Sequence, residues 1–126
     1  MEKANSIDPN IDTVYNNLGY DFSKKGEDKK AIEYYLKAIS FNRNYDEPYN
    51  NIGILLVRKG ESKLALEYLD KAKNINPKNP FTFVNIASAY MMMKDKEKAK
   101  ESLRIAEALG YAEARKYLNL ISSENN

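Results

Sequence analysis

The amino-acid sequence predicts an all-α protein, an α-solenoid of three helical hairpins followed by a capping helix, with seven helices in total. Two observations support this prediction. One apolar pattern occurs three times at a fixed interval, with copies that begin at Tyr15, Tyr49 and Phe83, and a turn signal separates two amphipathic segments within each copy. A fixed interval of this length is typical of stacked helical hairpins, because each hairpin alone is too small to bury its apolar face.

The repeated pattern has two halves, one for each helix of a hairpin. Apolar residues three and four positions apart lie on one face of a helix, and the small residues of the pattern let a partner helix approach closely. The first half occurs as Tyr15-x-x-Leu18-Gly19-x-x-Phe22, Tyr49-x-x-Ile52-Gly53-x-x-Leu56 and Phe83-x-x-Ile86-Ala87-x-x-Tyr90. The second half occurs as Ala31-x-x-x-Tyr35-x-x-Ala38, Ala65-x-x-x-Leu69-x-x-Ala72 and Ala99-x-x-x-Leu103-x-x-Ala106.

Turn and capping residues predict where the helices begin and end. Gly26 and Gly60 lie between the halves of the first two repeats, where glycine is free to take a positive φ, and Lys94 takes that place in the third. Asp12 and Asp46 are candidate N-caps, because their short side chains can accept hydrogen bonds from free backbone N–H groups. The predicted helices span residues 12–25, 28–41, 46–59, 62–75, 80–93 and 96–109.

One domain is predicted over residues 12–122. After Gly110, a further amphipathic segment has no partner hairpin, and we expect it to cover the apolar flank of the last hairpin. Residues 1–11 are expected to form a flexible lead-in and residues 123–126 a frayed tail. The predicted repeats are 12–45, 46–79 and 80–113, and the predicted capping helix is 111–122.

Composition narrows the range of functions. The chain of 126 residues has a formal net charge of +2, and its charges are evenly spread: six basic and five acidic groups in each of the first two repeats, and five of each in the third. Nucleic-acid binding usually needs a basic stripe, so no nucleic-acid partner is expected. The sequence has no cysteine and no histidine, which removes disulfides, thiolate nucleophiles, imidazole bases and the usual zinc ligands.

Catalytic and targeting motifs do not stand out. The sequence contains no GxxxxGK[ST], GxGxxG, GxSxG or HExxH pattern, so we expect neither enzymatic activity nor a metal or other cofactor. The first residues include no apolar stretch of signal-peptide length, and the apolar runs are too short to span a membrane. No membrane partner is expected, and a cytoplasmic location is expected by default.

The repeated residues resemble the tetratricopeptide repeat family, whose repeats have the same period. The resemblance covers residues 12–113, and it departs from the family pattern at Arg43 and Tyr111, where the second repeat has Pro77. It implies a right-handed superhelix whose concave groove binds an extended peptide or a helix of a partner protein. The implied function is a non-catalytic interaction module, a scaffold or adaptor. The alternative is a structural module that assembles within a larger complex or self-associates, although a monomer is favoured.

The first helix of each hairpin is implied to line the groove. Asn17, Asn51 and Asn85 lie one period apart. Their amides can pair with a peptide backbone as donor and acceptor, similar to the asparagine ladder of some family members, or they bond within the scaffold. The apolar candidates either bind a partner's hydrophobic anchors or pack against neighbouring helices. The remaining groove candidates are Asn16, Tyr20, Asn50, Ile54, Val57, Arg58, Phe81, Val84, Ser88, Met91 and Met92.

Family members that bind chaperone tails hold the free C-terminus in a clamp of Lys, Asn, Asn, Lys and Arg. The corresponding residues here are Asn16, Tyr20, Asn51, Phe81 and Asn85. Only Asn51 agrees with the clamp, and all three cations are missing. Without them a terminal carboxylate forms no charge-assisted hydrogen bond, so a chaperone tail is disfavoured as the partner.

Overall fold

The computed structural model describes residues 10–124, which form seven α-helices and no β-strand, and the predicted fold class is confirmed. The first six helices begin and end within one residue of the predicted positions. Most of the predicted lead-in and the last two residues of the predicted tail lie outside the described residues. The helices are α1 (Ile11–Lys24), α2 (Asp28–Phe41), α3 (Asp46–Arg58), α4 (Ser62–Ile75), α5 (Pro80–Met92), α6 (Lys96–Ala108) and α7 (Ala114–Glu124).

A small residue facing a large one brings the two helices of a hairpin together. A Cβ atom at Gly19 would lie 2.6 Å from Cδ1 of Tyr35, and a Cβ atom at Gly53 would lie 2.5 Å from Cδ2 of Leu69. Only glycine therefore fits at these two positions without displacing a core side chain. Tyr35 and Leu69 are almost completely buried as a result, and they fill the space between the paired helices.

The three hairpin turns share one backbone conformation but not one residue type. Gly26 and Gly60 have φ values of 81° and 83°, and Lys94 takes the same left-handed conformation with a φ of 63°. A left-handed conformation costs a residue with a Cβ atom roughly 1–2 kcal/mol. The third hairpin therefore closes at an energetic cost that the first two avoid.

The helices form two layers, and the array curves because the helices of one layer lie closer to one another than the helices of the other layer do. In each hairpin the two helices pack together, and the second helix also packs on the first helix of the next hairpin. In addition α1 contacts α3 and α3 contacts α5, whereas no comparable contact joins α2 to α4 or α4 to α6 within residues 10–124. Because the first helices lie closer together, α1, α3 and α5 form an inner layer on the concave side.

Side-chain amides and carboxylates connect one hairpin to the next. Asn42 Nδ2, after α2, donates to Asp12 Oδ2 at 2.8 Å. One period later, Asn76 and Asn79 donate to Asp46 Oδ2 at 3.4 and 3.1 Å. The prediction that the two aspartates are N-caps is wrong, because each lies inside the first helical turn. Asp12 Oδ1 still accepts the Thr13 backbone N–H at 2.8 Å, while its Oδ2 accepts from Asn42. The paired residues hold the connections at a fixed separation from the helix starts.

The capping helix begins later than predicted, because residues 111–113 form a turn before it. Three residues of α7 are buried: Ala114, Leu118 and Ile121. They lie three and four positions apart, so they form one face, and this face packs on α6. The last hairpin is thereby covered on its α6 side, while α7 makes no comparably close contact with α5 among the described residues.

The turn at Lys94 provides a test of this account of the hairpins. We expect Lys94→Gly to raise the free energy of unfolding by about 0.5–1 kcal/mol, because glycine takes a positive φ without steric cost. The reverse exchange, Gly60→Lys, is the matched control and should lower it by about 1 kcal/mol. Urea denaturation followed by circular dichroism measures both changes. If Lys94→Gly were less stable than the wild type, the left-handed conformation of Lys94 would not be a source of strain.

Candidate functional site

The exposed face of the inner layer is built from rows of residues, each row taking one residue from α1, α3 and α5. The members of a row are one repeat period apart, so they occupy equivalent places on successive helices. We call Asn16, Asn50 and Val84 the junction row, because they lie where one inner helix meets the next. We call Asn17, Asn51 and Asn85 the asparagine row. Two further rows complete the inner face: Tyr20, Ile54 and Ser88, and Lys24, Arg58 and Met92.

At the first junction, Asn16 connects α1 to α3. Its Nδ2 lies 3.2 Å from both the Tyr45 hydroxyl and Glu47 Oε1, and its Oδ1 accepts from Asn51 Nδ2 at 3.1 Å. Burial raises the pKa of the Tyr45 phenol, and the nearby Glu47 carboxylate raises this pKa further. The hydroxyl therefore stays protonated near neutral pH and donates to Glu47 Oε1 at 3.4 Å. This network holds the two inner helices in one relative position.

At the second junction, Asn50 takes the same role with a different partner. Its Nδ2 donates to Thr82 Oγ1 at 2.8 Å, and both side chains are buried between α3 and α5. The Asn50 Oδ1 is buried without a hydrogen-bond partner among the described residues. Leaving such an acceptor unsatisfied costs roughly 1–3 kcal/mol. The second junction is thus fixed by one strong contact rather than by a network.

At the third junction, the row residue is Val84, which cannot form a hydrogen bond through its side chain. Because α7 packs on α6 and not closely on α5, a cavity of about 320 Å³ remains between the three helices. No charged residue lines this cavity. Its walls are Val84, Ala87 and Ser88 from α5, Leu103 from α6, and Tyr117, Leu120 and Ile121 from α7. We call it the junction cavity.

Three of the predicted groove residues do not offer their side chains to a partner. Asn16, Asn50 and Val57 are only 3%, 6% and 6% exposed. The two asparagines are turned towards the neighbouring inner helix and form the contacts described above, while Val57 belongs to the hydrophobic core. The prediction that these three residues line the groove surface is therefore wrong, because they are buried beneath that surface.

The asparagine row is more accessible than the junction row. Asn17 is exposed, and Asn51 and Asn85 are half-buried. Asn51 uses one of its two amide N–H groups on Asn16, and among residues 10–124 nothing donates to its Oδ1. The Asn17 and Asn85 side chains have no hydrogen-bond partner within the described residues, so both amides are free to bind another molecule. Asn119, the next position at this interval, is also exposed.

The two ends of the inner face differ in chemistry. Helix α5 contains no charged residue, and its Phe81 and Met92 are 57% and 53% exposed. The Phe81 ring lies 5.2 Å from the ring of Tyr111, measured between centroids. Met91, Val84 and Ser88 are half-buried beside them. This end therefore presents a neutral, largely apolar surface.

The other two inner helices each carry one cation in the last turn. Lys24 and Arg58 occupy the last turns of α1 and α3. The Lys24 Nζ lies 5.3 Å from the ring centroid of Tyr20, and Arg58 Nη2 donates to Ser23 Oγ at 3.4 Å. Within the described part of the chain, neither cation has a carboxylate at ion-pair distance. Their positive charges also interact favourably with the C-terminal ends of the helices.

Sequence reasoning missed the residues that complete this surface. Tyr45 and Thr82 were overlooked because neither belongs to the repeated pattern. Tyr117 and Leu120 did carry a signal, since they lie one repeat period after Phe83 and Ile86. In the second and third repeats these positions are buried, but α7 has no second helix among the described residues, so Tyr117 and Leu120 stay 39% and 55% exposed.

Within residues 10–124, no group of three or more acidic side chains is arranged to hold a metal ion. No helix there combines the length and the apolar character needed to cross a membrane.

Known proteins share both the repeats and the fold. The family profile described as "TPR repeat" matches residues 19–60, and the profile described as "Tetratricopeptide repeat" matches residues 46–79 and 82–109. No curated protein sequence matches significantly. The first TPR domain of human RPAP3 is similar with a TM-score of 0.85 at 20% identity, over 92% of this chain and 93% of that one. The first TPR of Spaghetti (RPAP3), bound to the HSP90 peptide SRMEEVD, is similar with a TM-score of 0.84 at 20% identity, over 94% of this chain and 95% of that one.

A third solved structure extends the comparison. MamA is similar with a TM-score of 0.75 at 26% identity, over 91% of this chain and 64% of that chain. Because the two RPAP3 domains are only 20% identical to this chain, the likeness to them shows the fold alone.

Neighbouring asparagines on α1 test the distinction between the two rows. We expect Asn16→Ala to lower the free energy of unfolding by about 1–2 kcal/mol, because it removes three part-buried hydrogen bonds between α1 and the α3 region. Asn17→Ala should change it by less than about 0.5 kcal/mol, since the side chain is exposed. Chemical denaturation measures both variants. Equal effects at the two positions would show that Asn16 does not connect α1 to α3.

Proposed function

Since this chain belongs to the tetratricopeptide repeat family, we propose that its inner face binds an extended segment of a partner protein. The fold is that of a protein-interaction module. The proposal goes further and assigns binding to the exposed parts of α1, α3 and α5. The main support comes from α5, an uncharged helix with two large apolar side chains in solvent beside a free amide at Asn85.

Apolar exposure of this kind is typical of interaction surfaces. Phe81 and Met92 lie near opposite ends of α5, and Val84 and Ser88 lie between them, so the apolar surface runs along the helix. Soluble proteins usually keep large contiguous apolar patches for partners or ligands. Methionine also adapts its shape to different contacting groups. We infer that a partner's apolar side chains contact this helix.

The asparagine row supplies polar contacts to the same segment. A side-chain amide both donates and accepts, so Asn17 and Asn85 can each bind a peptide N–H and C=O. Asn51 keeps its acceptor and one N–H for the partner, because the other N–H of its amide is used on Asn16. Such contacts hold an extended backbone without depending on its side chains. The partner's sequence is then distinguished by the residues around the asparagines.

A chaperone tail remains disfavoured in this proposal. The similar Spaghetti domain binds an HSP90 peptide, but this chain has no cation at the five positions that correspond to the carboxylate clamp. Asn16 is also buried and fully engaged within the protein. A free C-terminal carboxylate would be desolvated there without a charge-assisted bond. We therefore propose that the bound segment is internal to its protein.

The asparagine row can be tested without disturbing the scaffold. Peptides are selected on the wild-type protein from a random library displayed on phage, and their affinities are measured by calorimetry. We expect Asn17→Ala/Asn85→Ala to weaken the selected peptides roughly 5- to 100-fold, the loss of two or more hydrogen bonds. Asn51 is left intact, because its substitution would also remove the contact with Asn16.

Asn74→Ala is the matched control, since Asn74 is an exposed asparagine on α4 in the outer layer. It should leave every affinity unchanged. The proposal fails if the wild type selects no peptide, or if the selected peptides bind the double variant as tightly as the wild type.

Self-association is a second candidate function, and the flank of the first hairpin favours it. Tyr15, Tyr34, Phe22 and Phe41 form a continuous stack with centroid distances of 5.2 to 5.9 Å, and Phe41 is 54% exposed. Lys37 lies over two of the rings, at 5.5 and 5.2 Å. The exposed Phe41 ring favours a contact between two copies through this flank. Such a contact would also bring the Lys37 charges of the two copies together, which opposes it.

Light scattering coupled to size-exclusion chromatography separates the two candidates. We expect a monomer at all concentrations, because the lysine that covers the stack opposes a symmetric contact. A mass that rises with concentration, and returns to that of the monomer in Phe41→Ser, would favour self-association through the flank.

A further inference from the structure

The junction row behaves differently at its third member. Asn16 and Asn50 each form a polar contact with the next inner helix, and these contacts close the first and second junctions. Val84 occupies the same place one period later and forms no such contact. The junction cavity of about 320 Å³ lies at this position. The opening therefore coincides with the replacement of an amide by an apolar side chain.

The size and lining of the cavity define what it accepts. An apolar cavity of about 150 Å³ is large enough to bind benzene, so about 320 Å³ accommodates a leucine, methionine or phenylalanine side chain. The lining has no charged residue. Its two hydroxyl groups belong to Ser88 and Tyr117, and Ser88 Oγ already donates to the Val84 carbonyl at 3.2 Å. A charged side chain would lose its hydration there without compensation.

On the basis of the proposed function, we propose that the junction cavity binds one large apolar side chain of the partner segment and so anchors that segment in the groove. The cavity is continuous with the inner face, because Val84 and Ser88 belong to its rows. Leu120, more than half exposed, forms the outer wall and is positioned to close over the anchor. Burying such a side chain stabilises a complex more than any single contact elsewhere on this face.

Charge complementarity orients the segment. Lys24 and Arg58 have no carboxylate partner within residues 10–124; Arg58 lies on α3, next to α5, and Lys24 lies on α1, one helix further from the cavity. Neighbouring inner helices are about 8–10 Å apart, so one such step separates Arg58 from α5, and two steps, about 16–20 Å, separate Lys24 from α5. An extended chain covers about 3.3 Å per residue. The partner segment therefore carries an acidic residue about three positions from its apolar anchor, opposite Arg58, or about five or six positions away, opposite Lys24.

The experiment uses the same library of random peptides displayed on phage. Peptides selected on the wild type should share a large apolar residue, with an acidic residue either about three or about five or six positions away. Ser88→Phe fills the cavity, and we expect it to lower the affinity of these peptides at least about tenfold, because the peptide can no longer bury its apolar side chain there. Ser40→Phe is the matched control: Ser40 is an exposed serine on α2 that also donates to a backbone carbonyl.

Leu120→Ser is a second variant, and it should fold like the wild type because this side chain is more than half exposed. It should weaken the same peptides about 3- to 10-fold, while thermal melting stays close to that of the wild type. If the peptides lack a shared apolar residue, or bind Ser88→Phe and Leu120→Ser like the wild type, the anchor inference is overturned.

These variants distinguish two hypotheses: that the inner face binds a peptide, and that the junction cavity binds an apolar side chain of that peptide. Peptides that are weakened by Asn17→Ala/Asn85→Ala but not by Ser88→Phe support the groove and reject the anchor. If the wild type selects no peptide at all, both are rejected.

Discussion

Close contact between the two helices of each hairpin is the constraint on which the rest of this structure depends. Gly19 and Gly53 have no Cβ atom, and this leaves room between the paired helices for the buried side chains of Tyr35 and Leu69. When the paired helices are this close, each hairpin presents a flank of apolar side chains to the next one. Stacking then buries a continuous core through the array. The inner face exists because every hairpin repeats this arrangement with the same orientation.

Much of this fold could be predicted from the sequence, because its determinants are local and repeated. The small residues and the turn glycines recur at fixed positions, so helix limits followed directly. The site was harder to predict, since adjacent residues on a helix point about 100° apart. Asn16 and Asn17 look equivalent in the sequence, yet one is buried in a network and the other is in solvent. Which neighbour faces inward depends on how the hairpins stack, and the repeated pattern does not specify this.

The junction cavity depends on a longer-range effect. Its walls come from three helices, and its volume is determined by the way α7 rests on α6. The face formed by Ala114, Leu118 and Ile121 could be recognised as amphipathic, but its docking angle could not. Tyr117 and Leu120 follow the repeat interval and still differ in environment from Phe83 and Ile86, because the described chain has no second helix to cover them.

A repeat array separates the residues that stack from the residues that can recognise a partner. Stacking positions stay small or apolar in each copy, since a change there displaces a neighbouring helix. The inner positions carry no such constraint, and here they change character from copy to copy: Tyr20, Ile54 and Ser88 in one row, and Lys24, Arg58 and Met92 in another. These differences give α1 and α3 one cation each, Lys24 and Arg58, and leave α5 without charge. We therefore propose that recognition resides in the variable rows, whereas the repeated residues determine the shape that displays them.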